Sequence, residues 1–253
     1  MQKYIPCLFA LTLLLASCKE EALEISRIEG KQLNISTEIA PDSSIISFVK
    51  PYKSAIESEM NTVLAFTPKA LSKTNGQYNS AIGNMMADAV MELANPIFKK
   101  RIGHEIDGVL LNYGGIRSSI SPGNITTRTA YNIMPFENEV VIVQLSAAAM
   151  DSMFQYLAQE QLAHPISGMQ LILNADNSIK SALVQGKPIE KDETYYIATN
   201  DYLRNGGDRM YFFSAGKNFF FIDYKLRNLF IDYFGEKDTI APIIDDRFIK
   251  IEQ

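Results

Sequence analysis

Both cysteines of this chain, Cys7 and Cys18, lie at its extreme N-terminus. No disulfide can therefore brace the body of the protein, and its fold has to rest on buried apolar surface alone. The 253 residues are 47% hydrophobic, the content of an ordinary globular protein. About 235 of them follow the N-terminal segment, enough for one large domain or two small ones. The net charge is −5, and a mildly acidic surface gives no general attraction for nucleic acid. An anionic ligand has to be held by particular cations in a pocket.

Residues 1–17 place Lys3 ahead of an apolar run from Ile5 to Leu15, followed by small residues. This is the pattern of a secretory signal, and the run is too short to cross a hydrocarbon core of about 30 Å. Leu15-Ala16-Ser17-Cys18 resembles the lipobox of bacterial lipoproteins. That resemblance implies a diacylated Cys18 as the mature N-terminus and an exported chain, lipid-anchored to the bacterial cell envelope on its periplasmic or outer-membrane side. Acyl chains stabilise such attachment by about 0.8 kcal/mol per buried CH₂. The expected organisation is a signal peptide over 1–17, a tether over 18–40 and one domain over 41–253.

Within the tether and its flank, Leu33 to Ile39 alternates like a short strand, and Pro41-Asp42-Ser43-Ser44 reads as a turn or helix start. Helical spacing runs from Phe48 to Leu64, through Tyr52, Ile56 and Met60. It recurs from Ser80 to Leu93, where Pro96 is expected to end the helix. Ile106–Asn112 and Val140–Leu145, apolar except for Gln144, predict strands. Ser146 is placed to cap a helix of about fifteen residues. Met169–Leu173, Ser181–Val184 and Tyr195–Thr199 predict three further strands, followed by a helix over Tyr224–Phe234 and a closing strand over Arg247–Ile251. Paired strands mixed with helices, without regular βαβ alternation, indicate an α+β fold with a mixed, largely antiparallel sheet and packed helices.

Three loops place glycine or an amide beside an aromatic or charged residue at a strand end. The first is Asn112-Tyr113-Gly114-Gly115-Ile116-Arg117, where paired glycines admit close approach of a ligand to the backbone and Arg117 offers a planar fork suited to phosphate. The second is Met134-Pro135-Phe136-Glu137-Asn138. The third runs from Thr199 through Asn200-Asp201-Tyr202 to Gly206-Gly207-Asp208. Taken singly, each has a bland reading as a turn, a core aromatic or a solvated carboxylate.

Their joint occurrence in this order resembles the C-terminal domain of the 5′-nucleotidases. That domain carries a helix with Leu-Gly-Asn-Leu, then Asn-Gly-Gly-Gly-Ile-Arg, Pro-Phe-x-Asn and Asn-Asp-Phe/Tyr-x-x-x-Gly-Gly-Asp. Here the helix reads Ile82-Gly83-Asn84-Met85, and Pro122-Gly123-Asn124-Ile125-Thr126 is similar to the family's Pro-Gly-Asp-Ile-Thr. The match covers roughly 41–253. The resemblance implies that Phe136 and Tyr202 sandwich a base, that Asp208 accepts ribose hydroxyls, and that Asn138 reaches a base edge with Gly168 leaving room beside the ring. It also implies that Asn112 and Arg117 face the scissile phosphate. Two departures bear on the phosphate end. Tyr113 replaces the first glycine of the triplet, and the family's upstream arginines are absent from Asn75–Ala81, although Lys73 is near. Arg209 stands where the family has glycine, and either supplies positive charge or points to solvent.

Family enzymes cleave phosphate with two divalent metals bound by an N-terminal domain rich in Asp and His. This chain has two histidines, His104 and His164, neither with a neighbour at ligand spacing, and for each a surface or loop position is expected. About 60 residues separate Cys18 from the first motif helix, too few for a further domain of usual size. The expectation is a nucleotide-binding half, with no metal or catalytic residue of its own, whose metals reside in a separate metallophosphatase chain. The alternatives are a stand-alone lipoprotein that binds nucleotides or nucleosides, and a degenerate domain kept as an interaction surface.

Overall fold

The structure is a computed structural model that describes residues 25–37 and 39–252. The segment read as a signal peptide, residues 1–17, and the lipidation candidate Cys18 lie outside the described residues. The chain divides into two units, Met1–Val49 and Lys50–Gln253. In the first, the alternation at 33–39 does not produce a strand. Leu33 and Ile35 are 74% and 94% exposed, and the Ile39 N–H closes a turn onto the Ser36 carbonyl at 3.2 Å. Alternation makes a strand only where a neighbouring backbone takes up its hydrogen bonds.

Helix α1, Ser43–Met60, spans the division. The Asp42 carboxylate caps it, accepting from the N–H groups of Ser44 at 2.8 Å and Ile45 at 3.3 Å. The helix was expected to continue to Leu64. Instead Val63 and Leu64 begin strand β1, Val63–Thr67, which pairs antiparallel with β3, Gly123–Thr126. Helix α2, Ala81–Ile102, is capped by the Ser80 hydroxyl, which accepts from the Gly83 N–H at 3.2 Å. Pro96 lies inside α2 and does not end it. Proline removes one backbone bond, but Ala94 and Phe98 on the same helix are wholly buried and hold the turn in place. Asn84, odd in a helix interior, is buried and donates to the Asn79 side chain at 2.9 Å and the Ile243 carbonyl at 3.0 Å. It tethers the C-terminal segment.

The central sheet has five strands in the order β10-β4-β9-β2-β5. These are β2 (Gly108–Leu110), β4 (Glu139–Ser146), β5 (Ile166–Ser167), β9 (Thr194–Asn200) and β10 (Asn218–Lys225). β4 pairs antiparallel with both β9 and β10, whereas β2 runs parallel to β9. The unbroken apolar run Val140–Val143 of β4 follows from its position. Val140 and Ile142 enter a core with α2, α3 (Thr127–Ile133) and α7 (Leu226–Gly235), while Val141, Val143 and Leu145 enter a second core with α4 (Ala147–Glu160). A strand with period-two side chains buried on both faces has no polar positions to offer. The short helices α5 (Asp201–Arg204) and α6 (Tyr211–Ser214) complete the second layer.

A separate sheet orders β11-β6-β7-β8, from β6 (Met169–Leu173), β7 (Ile179–Val184), β8 (Lys187–Pro188) and β11 (Phe248–Lys250). Only the β11–β6 pairing in it is parallel. The α+β class with mixed, largely antiparallel sheets is therefore as expected. Several elements carried no clear signal, among them β1, β3, α3 and the edge strand β10. Among the described residues, no helix is long and apolar enough to cross a membrane.

Candidate functional site

Topology brings the three loops together. β2 and β9 run parallel, so the turn after β2 and the segment after β9 emerge at one edge of the sheet. β4 is antiparallel to them, so the segment that precedes it meets the same edge. The three loops line one cavity of about 600 Å³, a size suited to a small organic ligand. Six of the seven residues singled out from sequence line it: Asn112, Arg117, Phe136, Asn138, Tyr202 and Asp208.

Gly168 is the exception. It lines a different cavity, beside Asp245 and Arg247, and sits at φ +70° between β5 and β6. A Cβ there would stand 2.5 Å from the Asp107 carbonyl oxygen, so glycine serves backbone passage at this point.

Asp208 links the loops. Its carboxylate accepts from the Tyr202 hydroxyl at 2.8 Å and from the Asn112 amide at 2.7 Å. Its backbone has φ 50°, in the left-handed region. Each carboxylate oxygen keeps further acceptor capacity. Phe136 and Tyr202 are 42% and 46% exposed, which is high for aromatic rings in a well-packed domain. Gly207 sets the Tyr202 ring, because a Cβ at that position would approach it to 2.5 Å. The hydrogen bond to Asp208, together with burial, raises the Tyr202 pKa. The Asn138 amide donates to Asp201 at 2.8 Å, and the same carboxylate accepts the Glu139 N–H at 3.2 Å. The Asn138 carbonyl oxygen and second amide hydrogen remain for hydrogen bonding.

The cationic end consists of Arg117 and Lys73. Arg117 is exposed, donates to the Gly114 carbonyl at 3.4 Å and lies 5.7 Å from the centre of the Phe136 ring. Lys73 donates to the Ile116 carbonyl at 3.0 Å and rests over the Tyr113 ring at 4.4 Å. Partial burial and the charge of Arg117 both lower the Lys73 pKa, so the two cations sense one another. Arg209 does not join them. Its side chain is 74% exposed and pairs with Glu160 at 3.0 Å, which decides between the two alternatives in favour of the solvent-facing one.

Side chains buried wholly or in part fix the loops from behind, and no local sequence pattern marks them. Arg227, 7% exposed, donates to the carbonyls of Pro135 at 3.1 Å and Phe136 at 3.3 Å, pairs with Glu137 and lies over the Tyr131 ring. His164 was expected in a surface or loop position; it is in a loop but only 3% exposed. Its Nδ1 accepts the Tyr113 N–H at 3.1 Å. Tyr156 donates its hydroxyl to the Asp208 carbonyl at 2.9 Å, and burial together with the Glu160 and Asp208 charges pushes its pKa up to about 12. His104 stacks on Tyr196 with ring centres 4.8 Å apart, away from the cavity-lining residues. Among the described residues there is no group of three or more His, Cys, Asp or Glu placed to hold a metal ion.

Comparison with known proteins agrees with this architecture. The family described as 5′-nucleotidase, C-terminal domain, matches residues 60–215. The cell wall protein Lmo0130 of Listeria monocytogenes is 27% identical over 229 residues, which cover 81% of this chain and 28% of that protein. A 5′-nucleotidase of Vibrio vulnificus is 23% identical over 193 residues, covering 72% of this chain and 32% of the enzyme. Among solved structures, the 5′-nucleotidase precursor from Thermus thermophilus superposes with a TM-score of 0.69 at 20% identity, over 85% of this chain and 44% of its own. The chain thus spans less than half the length of these relatives.

Proposed function

Since the chain belongs to the family of 5′-nucleotidase C-terminal domains, we propose that it is the nucleotide-binding half of a 5′-nucleotidase-type phosphohydrolase. The base is held between Phe136 and Tyr202, and each stacking contact contributes about 1–3 kcal/mol. Asp208 accepts the ribose hydroxyls, Asn138 meets the base edge, and Asn112 and Arg117 face the phosphate. The convergence of Phe136, Tyr202 and Asp208 on one cavity carries this reading. The chain is exported, as a likeness to a cell wall protein suggests, and is held at the cell envelope through acylated Cys18.

Hydrolysis in this reading belongs to a separate metallophosphatase chain that docks beside Arg117 and brings two divalent metals. Two metals supply a hydroxide near neutral pH and stabilise the attacking and leaving oxygens. The described residues of this chain offer no ligand set for them, so its own part is to bind and orient. Mixing the purified chain with such a partner and divalent metal is expected to release phosphate from nucleoside monophosphates, and neither chain alone should do so. Absence of both nucleotide binding and restored hydrolysis would sink the proposal.

One observation favours the second reading, a stand-alone binding lipoprotein without hydrolase activity. Lys73, the second cation at the phosphate end, is directed onto the Ile116 carbonyl, and a nucleoside needs no phosphate clamp. Calorimetry with adenosine and AMP separates the two. Tighter AMP binding supports the split enzyme, and equal affinity supports the binding protein.

A further inference from the structure

Two rings, His164 buried and Tyr156 partly buried, tie the floor of the cavity to the core. His164 holds the turn that follows β2 through the Tyr113 N–H at 3.1 Å, and Tyr156 holds Asp208 through its carbonyl at 2.9 Å. Their ring centres are 5.8 Å apart. Because Nδ1 accepts a hydrogen bond, the imidazole is the neutral tautomer with its hydrogen on Nε2. Nε2 is buried and has no hydrogen-bond partner among the described residues. The Tyr113 N–H on Nδ1 therefore selects this tautomer.

We propose that His164 is a positioning residue of this cavity, one that holds the turn at Asn112–Gly115 only as a neutral imidazole and thereby makes ligand affinity fall as it gains a proton. Protonation places a hydrogen on Nδ1, directly against the Tyr113 N–H. Two donors then face each other with no acceptor between them, and a cation stands in a buried site. Relief requires the turn to move. That movement carries Asn112 away from Asp208, the hydrogen bond that joins the first loop to the third, and shifts the Gly114 carbonyl that accepts from Arg117.

The groups facing the imidazole are Tyr156 and Glu160 from α4, Asp208 from the segment after α5, and the Leu111 backbone at the start of the turn. Burial lowers the His164 pKa below its ordinary value, against the Leu111 backbone and the Asp208 and Glu160 charges, which favour the proton. The switch therefore operates on the acidic side of neutrality. The inference rests on the proposed nucleotide site for its ligand, but its backbone arm is independent of that reading.

The test follows the His164 ring resonances, exchange of the Tyr113 amide and AMP affinity in the full chain, from about pH 8 to about pH 5. As His164 protonates, the Tyr113 amide, corrected for intrinsic exchange, is expected to lose about tenfold in protection, and AMP affinity to fall by about tenfold with the same midpoint. His164→Gln offers an amide oxygen to Tyr113 without titrating, so Tyr113 protection should become flat and AMP affinity should keep only the dependence that the second phosphate pKa of AMP, about 6, imposes. His164→Leu offers no acceptor and should leave Tyr113 unprotected throughout. Unchanged Tyr113 protection across the His164 midpoint overturns the proposal, as does a His164→Gln variant that keeps the wild-type pH profile. If AMP binds at no pH, the nucleotide reading and the affinity arm fail together, and Tyr113 exchange alone decides whether His164 positions the turn. Should the variants fail to fold, the wild-type resonances still give that answer.

Discussion

Tyr202 and Asp208 act as a pair, with one hydroxyl and one carboxylate fixing each other at 2.8 Å. Tyr202→Ala removes the stacking face and frees one oxygen of Asp208. Because the ring is 46% exposed, the fold should lose little, while AMP affinity should fall by about 1–3 kcal/mol in a calorimetric titration. Gly207→Ala tests the same ring from beneath. Its Cβ would press to 2.5 Å of the Tyr202 ring, so weaker binding with an unchanged melting temperature is expected; unchanged binding would show that ring placement is not what Gly207 secures. Phe136, Tyr202 and Asp208 were legible because motif order singled them out. Gly168 lines another cavity, which a short motif does not reveal. His164 was undervalued because sequence does not report burial.

The loops are set by the elements behind them. Arg227, in the first turn of α7, spans to the Pro135 and Phe136 carbonyls on a loop some ninety residues away in sequence. Arg227→Met should cost about 1–2 kcal/mol in chemical denaturation, because the Pro135 and Phe136 carbonyls lose a buried donor. It should also raise amide exchange in the segment before β4 without affecting α2. Strands β4 and β9 and helix α4 were readable from period and capping. β10 was not, because an edge strand with Phe219 and Phe221 exposed on one face and Ile222 buried on the other has the same aromatic content as a core helix. Helix α2 passed through Pro96 because burial of Ala94 and Phe98 outweighs one missing hydrogen bond.

Across the whole molecule, Arg247 clasps the C-terminal segment to α2. It donates to Asp88 at 2.8 and 3.0 Å and to Asp245 at 2.8 and 2.7 Å. Burial alone would raise the Asp245 pKa, but the hydrogen bonds and charge of Arg247 outweigh it and hold the carboxyl below its ordinary range. A carboxylate with a depressed folded pKa stabilises the fold above its unfolded value of about 4, and that contribution fades as pH falls through the folded value. Arg247→Met should therefore destabilise the protein by about 2–3 kcal/mol at neutral pH. The gap should narrow in urea titrations repeated below about pH 4. His164 adds a second loss at higher pH. Its depressed pKa means that stability present above about pH 6.5 declines as pH falls through the folded value.

The α+β class, the main strands and helices, and the three loops whose residues meet in the cavity were legible in the order of residues alone. These are local properties, written in side-chain period, capping residues and short motifs. Only the tertiary structure decided that β4 runs opposite to β9 and β2, which brings the loops to one edge. It also decided that Gly168 belongs elsewhere, and that His164, Tyr156 and Arg227 hold the site from below. Those depend on burial and on contacts between residues far apart in the chain, and no local pattern encodes either.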